Sequence, residues 1–369
     1  MRLAFIIFLL IWALMHWYVL VRLSSVPGIA GHIPTWAMVV AGVLLGSSYI
    51  ASRVMERFEL DGVSHVLEYV GANWVGLVFL LLVCFLAADL VTGFGFLMTR
   101  WVPAIRAAAL ISAGVLIAVS LVQAVRAPVV TEYEVRMPGL PATADGTVLV
   151  VASDMHLGPM LGRRWASDRA EQIQSLRPDV LLLVGDILEA PRDTHDEWLR
   201  TLQKFRAPHG VFAVTGNHEV YAGAGPIVDL FGRAGFRVLH DENVEALPGL
   251  TIAGVDDVAF RHRRTDEAQL AVGRALANRR AGATVFLSHT PVFSDRAAKD
   301  GAGLMLSGHT HNGQIWPFRY LVRLAFPMLN GRYEVGGMTV IVGRGTGTWG
   351  PRMRLWQRGE LLRVVLRSA

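Results

Sequence analysis

The residues best suited to chemistry lie in five short segments: Asp154-Met155-His156, Gly185-Asp186, Gly216-Asn217-His218-Glu219, Ser288-His289 and Gly308-His309-Thr310-His311. Most follow directly on apolar runs of strand-like composition, such as Thr147–Ala152, Val180–Val184, Val211–Val214 and Thr284–Leu287. A polar residue just past such a run sits where a strand leaves its sheet, the position at which α/β folds meet their ligands. Carboxylate, imidazole and amide oxygen are donors suited to manganese, iron or zinc, whereas an all-oxygen set would point to magnesium or calcium. Gathered in one place, these side chains would form a two-metal hydrolytic site. Two cations about 3.5–4 Å apart would generate hydroxide near neutral pH. In extended backbone, residues two apart share a side. On that reasoning Asp154 points with His156, and His309 with His311, while Thr310 turns away.

The elements that must position these residues alternate along the second half of the chain. Candidate strands are 147–152, 180–184, 210–214, 250–254, 284–288, 303–307, 338–342 and 353–357 with 361–366. Candidate helices are 163–176, 195–205, 226–234 and 266–279. This is an α/β pattern. Strands outnumber helices late in the chain, so two stacked mixed β-sheets flanked by helices fit better than one doubly wound sheet.

With all five segments in view, the chain resembles the calcineurin-like metallophosphoesterases, whose pattern is D-x-H, G-D, G-N-H-[DE], H and G-H-x-H in this order. The resemblance covers about residues 146–367. The strings Gly216-Asn217-His218-Glu219 and Ser307-Gly308-His309-Thr310-His311-Asn312-Gly313-Gln314 look like the bacterial membrane-associated branch. The resemblance implies an αββα sandwich and phosphomonoester or phosphodiester hydrolysis by a metal-bridging hydroxide. It assigns Asp154, His156 and His311 to one metal, Asn217, His289 and His309 to the other, and Asp186 to both. His218 resembles the family's non-ligand histidine, which steadies the phosphoryl oxygens and protonates the leaving group. Its tautomer needs a partner, and Glu189 and Glu219 are the candidates. His195, His209, His240 and His262 have no such register and read as surface or loop residues. Asp256-Asp257 reads as a turn.

The first half of the chain is of another kind. Four stretches, about 3–23, 34–52, 71–92 and 104–124, reach the roughly 20 apolar residues needed to cross a bilayer. The first runs too long for a secretory signal and has no small-x-small cleavage site. The expected organisation is a transmembrane domain of four helices over 1–126, a proline-containing connector over 127–145 and a catalytic domain over 146–369. Trp12, Trp17, Tyr18, Trp36, Trp74 and Trp101 are read as interfacial anchors, and Gly42, Gly46 and Gly76 as packing positions. Asp89, near the end of the third span, is the main intramembrane carboxylate, and a hydrated or capping role is expected. Four spans place both termini on one side. Arg2, Arg53, Arg57, Arg126 and Arg136 on that side, against Arg22, Arg100 and Arg106, lean toward a cytoplasmic catalytic domain.

The 369 residues are 53% hydrophobic and 18% charged, with a net charge of +5, a pI near 9.7 and a mean hydropathy of +0.40. Those averages mix a membrane part with a water-soluble part. The arginines are scattered, without the interleaved basic and aromatic stripe of a nucleic-acid groove, so no nucleic-acid partner is expected. The acidic partner is the bilayer or a phosphate-ester substrate, with lipid-linked or envelope phosphates the first class to test. Cys84, the single cysteine, excludes an intrachain disulfide and thiolate ligation. Arg344 and Pro351–Trp356 read as substrate or lipid contacts or as a half-exposed strand. Trp316, Phe318, Tyr320, Leu321, Leu324 and Phe326 form an apolar segment beside the last metal motif. The competing class is a non-catalytic membrane module that uses this fold as a binding platform, for which lost ligands would be expected. Transport through the helices lacks the buried polar residues it would need.

Overall fold

The computed structural model describes the chain except Met1, Arg57, Glu59, 190–193, Ala222 and 259–264, together with the side chains at 2–5, 8, 56, 61, 195 and 265. His262 and the side chain of His195 lie outside the described residues. The chain divides into two compact units, Met1–Val125 with Gly350–Trp356, and Arg126–Trp349 with Gln357–Ala369.

The first unit is built from α1 (Arg2–Leu23), α2 (Thr35–Glu56), α3 (Asp61–Val91) and α4 (Val102–Val125). Among the described residues, three of its helical segments are long and apolar enough to cross a membrane: Thr35–Met55, Gly62–Val91 and Thr99–Val125. The apolar stretch described in α1, Leu9–Leu23, is shorter. Several polar side chains of these apolar helices find partners within the unit. Trp74 Nε1 donates to His16 Nε2 at 2.8 Å, which leaves Nδ1 to donate to Trp12 O at 2.9 Å. Trp12 Nε1 donates to Gly46 O at 3.1 Å, so Trp12 and Trp74 lock helices together rather than anchor an interface. A Cβ at Gly71 would lie 2.4 Å from the Tyr49 nitrogen, so α2 and α3 cross where no side chain fits. Asp89 is fully buried. It accepts from Tyr18 Oη at 2.7 Å, pairs with Arg22 Nε at 2.6 Å and faces Arg106 Nη2 at 3.6 Å. The expected hydrated or capping carboxylate is instead a buried cross-link between α1, α3 and α4.

Residues Gly350–Trp356 return from the far end of the sequence to this helical unit. Arg352 N donates to Asn73 Oδ1 at 3.0 Å, and Arg354 N to Ser120 O at 3.0 Å. Met353, Arg354 and Leu355 are buried. The strand expected at 353–357 does not form: Arg354 N donates to the helix carbonyl of Ser120, and Met353 N to the local carbonyl of Pro351.

The second unit holds two six-stranded mixed sheets, with strand orders β1-β12-β2-β3-β4-β5 and β10-β11-β9-β8-β7-β6. The first comprises β1 (Val129–Met137), β2 (Val148–Ala152), β3 (Val180–Val184), β4 (Val211–Val214), β5 (Phe236–Val238) and β12 (Glu360–Ser368). The second comprises β6 (Glu242–Leu247), β7 (Leu250–Gly254), β8 (Ala283–Leu287), β9 (Leu304–Ser307), β10 (Gly331–Val335) and β11 (Met338–Val342). The stretch expected as a connector thus contains an edge strand, β1, parallel to β12. Side chains alternate across the strands. Leu149, Val151, Leu182, Val184, Ile252, Val285, Leu304 and Leu306 fill the layer between the sheets. The intervening Val150, Ala152, Leu181 and Leu183 face the other way, onto α5 (Arg163–Ser175), α6 (His195–Leu202) and α8 (Ala224–Ala234). Phe286, Met305, Val340 and Val342 likewise cover α9 (Thr265–Leu276) and α10 (Ser294–Lys299).

Strands β2, β3 and β4 are parallel neighbours in the first sheet, and β8 and β9 in the second. Parallel neighbours end at the same edge, so the loops after Ala152, Val184, Val214, Leu287 and Ser307 emerge as two adjacent groups. Those loops carry the five motifs.

Candidate metal centre

Asp154, His156 and His311 present ligand atoms within 4.8 Å of one another, and so do Asp186, His289 and His309. In the first group His156 Nε2 lies 3.0 Å from His311 Nε2, and Asp154 Oδ1 lies 3.4 Å from the same His311 nitrogen. In the second, Asp186 Oδ2 is 3.1 Å from His289 Nε2, and His309 Nδ1 is 3.3 Å from it. His289 Nε2 also lies 4.0 Å from Asp154 Oδ1, which places the groups side by side. Asn217 opens α7 (Asn217–Tyr221), next to Gly216, where a Cβ would fall 2.1 Å from Asp186 Oδ1.

The backbone reaches this arrangement by a route the period-two argument did not foresee. Asp154, His156, Asp186, His309 and His311 have φ of 51°, 48°, 53°, 69° and 46°. Each is a non-glycine residue in the left-handed region, a conformation of about 1–3 kcal/mol that accumulates at functional sites. The segments are tight turns rather than extended strands, and His309 and His311 serve different groups. Thr310 turns away as expected, donating to Leu329 O. Cross-loop hydrogen bonds hold the turns: Asp154 N to Gly185 O and His156 N to Asp186 O at 3.0 Å, and His309 N to Asp154 Oδ1 and His218 N to Asp186 Oδ1 at 2.9 Å.

Glu189 Oε1 lies 2.5 Å from both His156 Nδ1 and His218 Nδ1. One carboxylate therefore orients a candidate ligand and the candidate proton donor, leaving Nε2 of each ring to face the site. Glu219 is excluded as the partner of His218. It is fully buried and accepts from the backbone N–H groups of Asp186 (2.9 Å), Ile187 (2.6 Å), Leu188 (3.1 Å) and Gly216 (2.7 Å). This clamp went unrecognised in the sequence, although Glu219 was visible as the last letter of its motif.

The electrostatics follow from packing imidazoles against carboxylates. Burial alone would lower His156, but Glu189, Asp186 and Asp154 push it up to about 9. Burial likewise opposes His289, which Asp186 raises well above the ordinary value. Burial and the neighbouring His289 ring lower His309 to about 4. Despite burial, Asp186 is held well below the carboxylate range by His289, and Glu189 by His156 and His218.

Around this centre, Tyr221 and Trp349 meet the His218 ring edge-on at 5.9 and 6.2 Å, and Phe326 meets His309 at 5.0 Å. Arg344 is engaged with Glu360 at 3.0 Å rather than turned to a substrate. His240 pairs with Asp256 at 2.9 Å, while Asp257 is buried and accepts from Thr290 Oγ1 at 2.8 Å.

Comparison with known proteins bears on the same segments. Residues 147–313 match the calcineurin-like phosphoesterase family. An uncharacterized metallophosphoesterase of Aquifex aeolicus is 34% identical over 247 residues, 65% of this chain and 92% of its own length. The chain belongs to the calcineurin-like phosphoesterase family. Another member, a transmembrane protein with metallophosphoesterase domain from Danio rerio, is 32% identical over 279 residues, 71% of this chain. The match spans 62% of that relative's length. A dimetal phosphatase of known structure from Danio rerio is 13% identical and aligns over 57% of this chain and 91% of its own, with a TM-score of 0.34. Calcineurin-like phosphoesterases typically hold two metal ions, and the buried His and Asp groups of this member are consistent with that.

Proposed function

We propose that the chain is a membrane-anchored, dinuclear metal-dependent phosphoesterase acting on phosphomonoesters or phosphodiesters, with lipid-linked or envelope phosphates as its substrates. The organisation behind this reading is four membrane helices within 1–126 and a cytoplasmic catalytic domain over 146–369. The transmembrane relative from Danio rerio supports the anchor.

One observation carries the metal assignment. Among the described residues, Asp154 Oδ2 and Asn217 Oδ1 are buried and meet no hydrogen-bond donor. Burying such an oxygen unpaired costs about 1–3 kcal/mol, a cost that a cation at each group would remove. The donors fit. Asp154, His156 and His311 would hold one ion, Asn217, His289 and His309 the other, and Asp186 both, with manganese, iron or zinc matching the donor set.

When bound, two divalent cations neutralise the phosphoryl oxygens and supply hydroxide near neutral pH. The protein's part is position and proton control. Glu189 fixes His218 by Nδ1, so the proton on Nε2 is aimed at the leaving group. As the ester P–O bond breaks, its electron pair passes to the leaving oxygen, which takes that proton. The rings of Tyr221 and Trp349 flank His218 and narrow the approach of water to it.

The test uses the purified full chain. About two transition-metal ions per chain and manganese-dependent hydrolysis of an aryl phosphate ester are expected. Asp186→Asn and His218→Asn should each remove most activity, His218→Asn without loss of metal. Unchanged turnover in both variants would refute the assignment. Full metal content with no turnover would favour the binding platform.

A further inference from the structure

Directly after the last candidate ligand turn, the sequence Arg-Tyr-Leu-Val-Arg-Leu-Ala forms α11 (Arg319–Ala325), which has no acidic residue. Its large apolar side chains are not buried. Leu324 is 84% exposed, and Tyr320, Leu321 and the preceding Phe318 are exposed with it. At the other side of the centre, Tyr221 and Trp349 are also exposed while touching the His218 ring. Phe326, which caps α11, packs on His309. The mouth of the centre is thus rimmed by exposed aromatic and aliphatic side chains, with Arg319 and Arg323 among them. Apolar surface gathered in this way on a folded unit marks an interaction site.

We propose that this rim is a bilayer-contacting face, with α11 entering the headgroup region so that phosphoesters reach the centre from the lipid surface. Three features single out a membrane as the occupant. Tyrosine and tryptophan favour the interface between headgroups and acyl chains. Arginine beside leucine on a short acid-free helix complements anionic lipid. Only Arg126, Ala127 and Pro128 separate α4 from β1, so a three-residue link joins the unit that carries this rim to the long apolar helices. The proposal builds on the phosphoesterase reading above and adds the direction from which substrate enters.

The test is made on the full chain reconstituted in phosphatidylcholine and phosphatidylglycerol vesicles, in a Cys84→Ser background. An environment-sensitive fluorophore is attached through Leu324→Cys, through Leu321→Cys as a second position, or through Glu171→Cys on the exposed polar side of α5 as the control. Doxyl-lipid quenching and a blue shift are expected at 324 and 321 but not at 171. Quenching at 324 and 321 no greater than at 171 overturns the bilayer contact, whatever the catalytic result. Protection of both labels in lipid-free detergent, as in a dimer, overturns it as well. A double variant, Leu321→Glu with Leu324→Glu, should keep its turnover of a soluble aryl phosphate. It should lose about tenfold or more on vesicle-borne phosphatidic acid, since both leucines are then kept from apolar burial. Equal losses on both substrates would overturn the link between this face and substrate entry. A wild-type chain that hydrolyses neither would sink the catalytic reading and leave the quenching result to decide the contact.

Discussion

Replacing Glu219 by glutamine tests whether the centre is built on a buried carboxylate rather than on its ligands alone. Oε2 accepts from Asp186 N and Gly216 N, and Oε1 from Ile187 N and Leu188 N. Glutamine keeps one oxygen and turns an NH₂ toward the other pair of donors. Two buried N–H groups then face a donor instead of an acceptor, at about 1–3 kcal/mol each, or roughly 2–6 kcal/mol together. Glu219→Gln is nearly isosteric, so the change is not one of volume. For a unit of this size, 1 kcal/mol shifts the melting temperature by about 2–4 °C, so a fall on the order of 10 °C is expected. The assay is tryptophan-detected thermal unfolding of the full chain in detergent after chelator treatment, so that lost metal cannot be mistaken for lost hydrogen bonds. Metal affinity should fall as well, because the clamped backbone carries Asp186 and precedes Asn217. A melting temperature within about 2 °C of the parent, corresponding to at most roughly 1 kcal/mol, would refute the clamp.

Glu189→Gln should weaken metal binding by roughly 10–100-fold through His156 and lower turnover further through His218, which metal titration followed by rates at saturating metal would separate. Gly216→Ala places a methyl 2.1 Å from Asp186 Oδ1 and should abolish metal retention. Gly162→Ala, with nothing within 4 Å, is the matched control and should leave metal content unchanged by elemental analysis. The pH response of the metal-free chain follows from His156, raised to about 9 from an ordinary 6.5. Its pairing contributes about 3 kcal/mol that is fully present below pH 6.5 and lost as pH rises through about 9. Glu189, shifted down from 4.5, contributes stability that is present above that value and lost on acidification. His309, lowered to about 4 from 6.5, opposes folding on acidification through that interval, so the melting temperature should climb from pH 4.5 to a maximum near pH 6.5 and fall above it, and a chelated protein that gains stability from pH 7 to 9 would contradict this.

The residues that the structure gathers, Asp154, His156 and His311 in one group and Asp186, His289 and His309 in another, were legible because chemistry constrains residue type more tightly than conformation does. Only certain side chains can bind a divalent cation, and each stands just beyond an apolar run whose period marks a strand. The backbone of those turns was not legible. Five non-glycine residues at positive φ violate local preference, and only the cross-loop hydrogen bonds around Asp154 and Asp186 make that conformation tenable. Strands on the central rows, such as Val180–Val184, announced themselves by continuous burial. Edge strand β1, with charged residues at Glu132, Glu134 and Arg136, resembled a linker. Glu189 and Glu219 were ambiguous because nearness in sequence says nothing about which of two carboxylates a loop turns toward a ring. In the helical unit, hydropathy revealed the long apolar helices but not the His16 lock or the charge on Arg354 buried in the returning segment.

That returning segment has a consequence for how the protein is made. Residues Gly350–Trp356 settle on helices synthesised long before them. At the ends of this excursion, Trp349 N donates to Gln314 Oε1 at 2.9 Å, and Gln357 Nε2 donates to Asn312 O at 3.1 Å. Both pin the turn that bears His311. Chains emerge from the ribosome N-terminus first, so the helices precede the segment that lands on them, and the turn bearing His311 is secured only once Trp349 and Gln357 have been translated. A gene trimmed at codon 126 would encode the strap without its moorings.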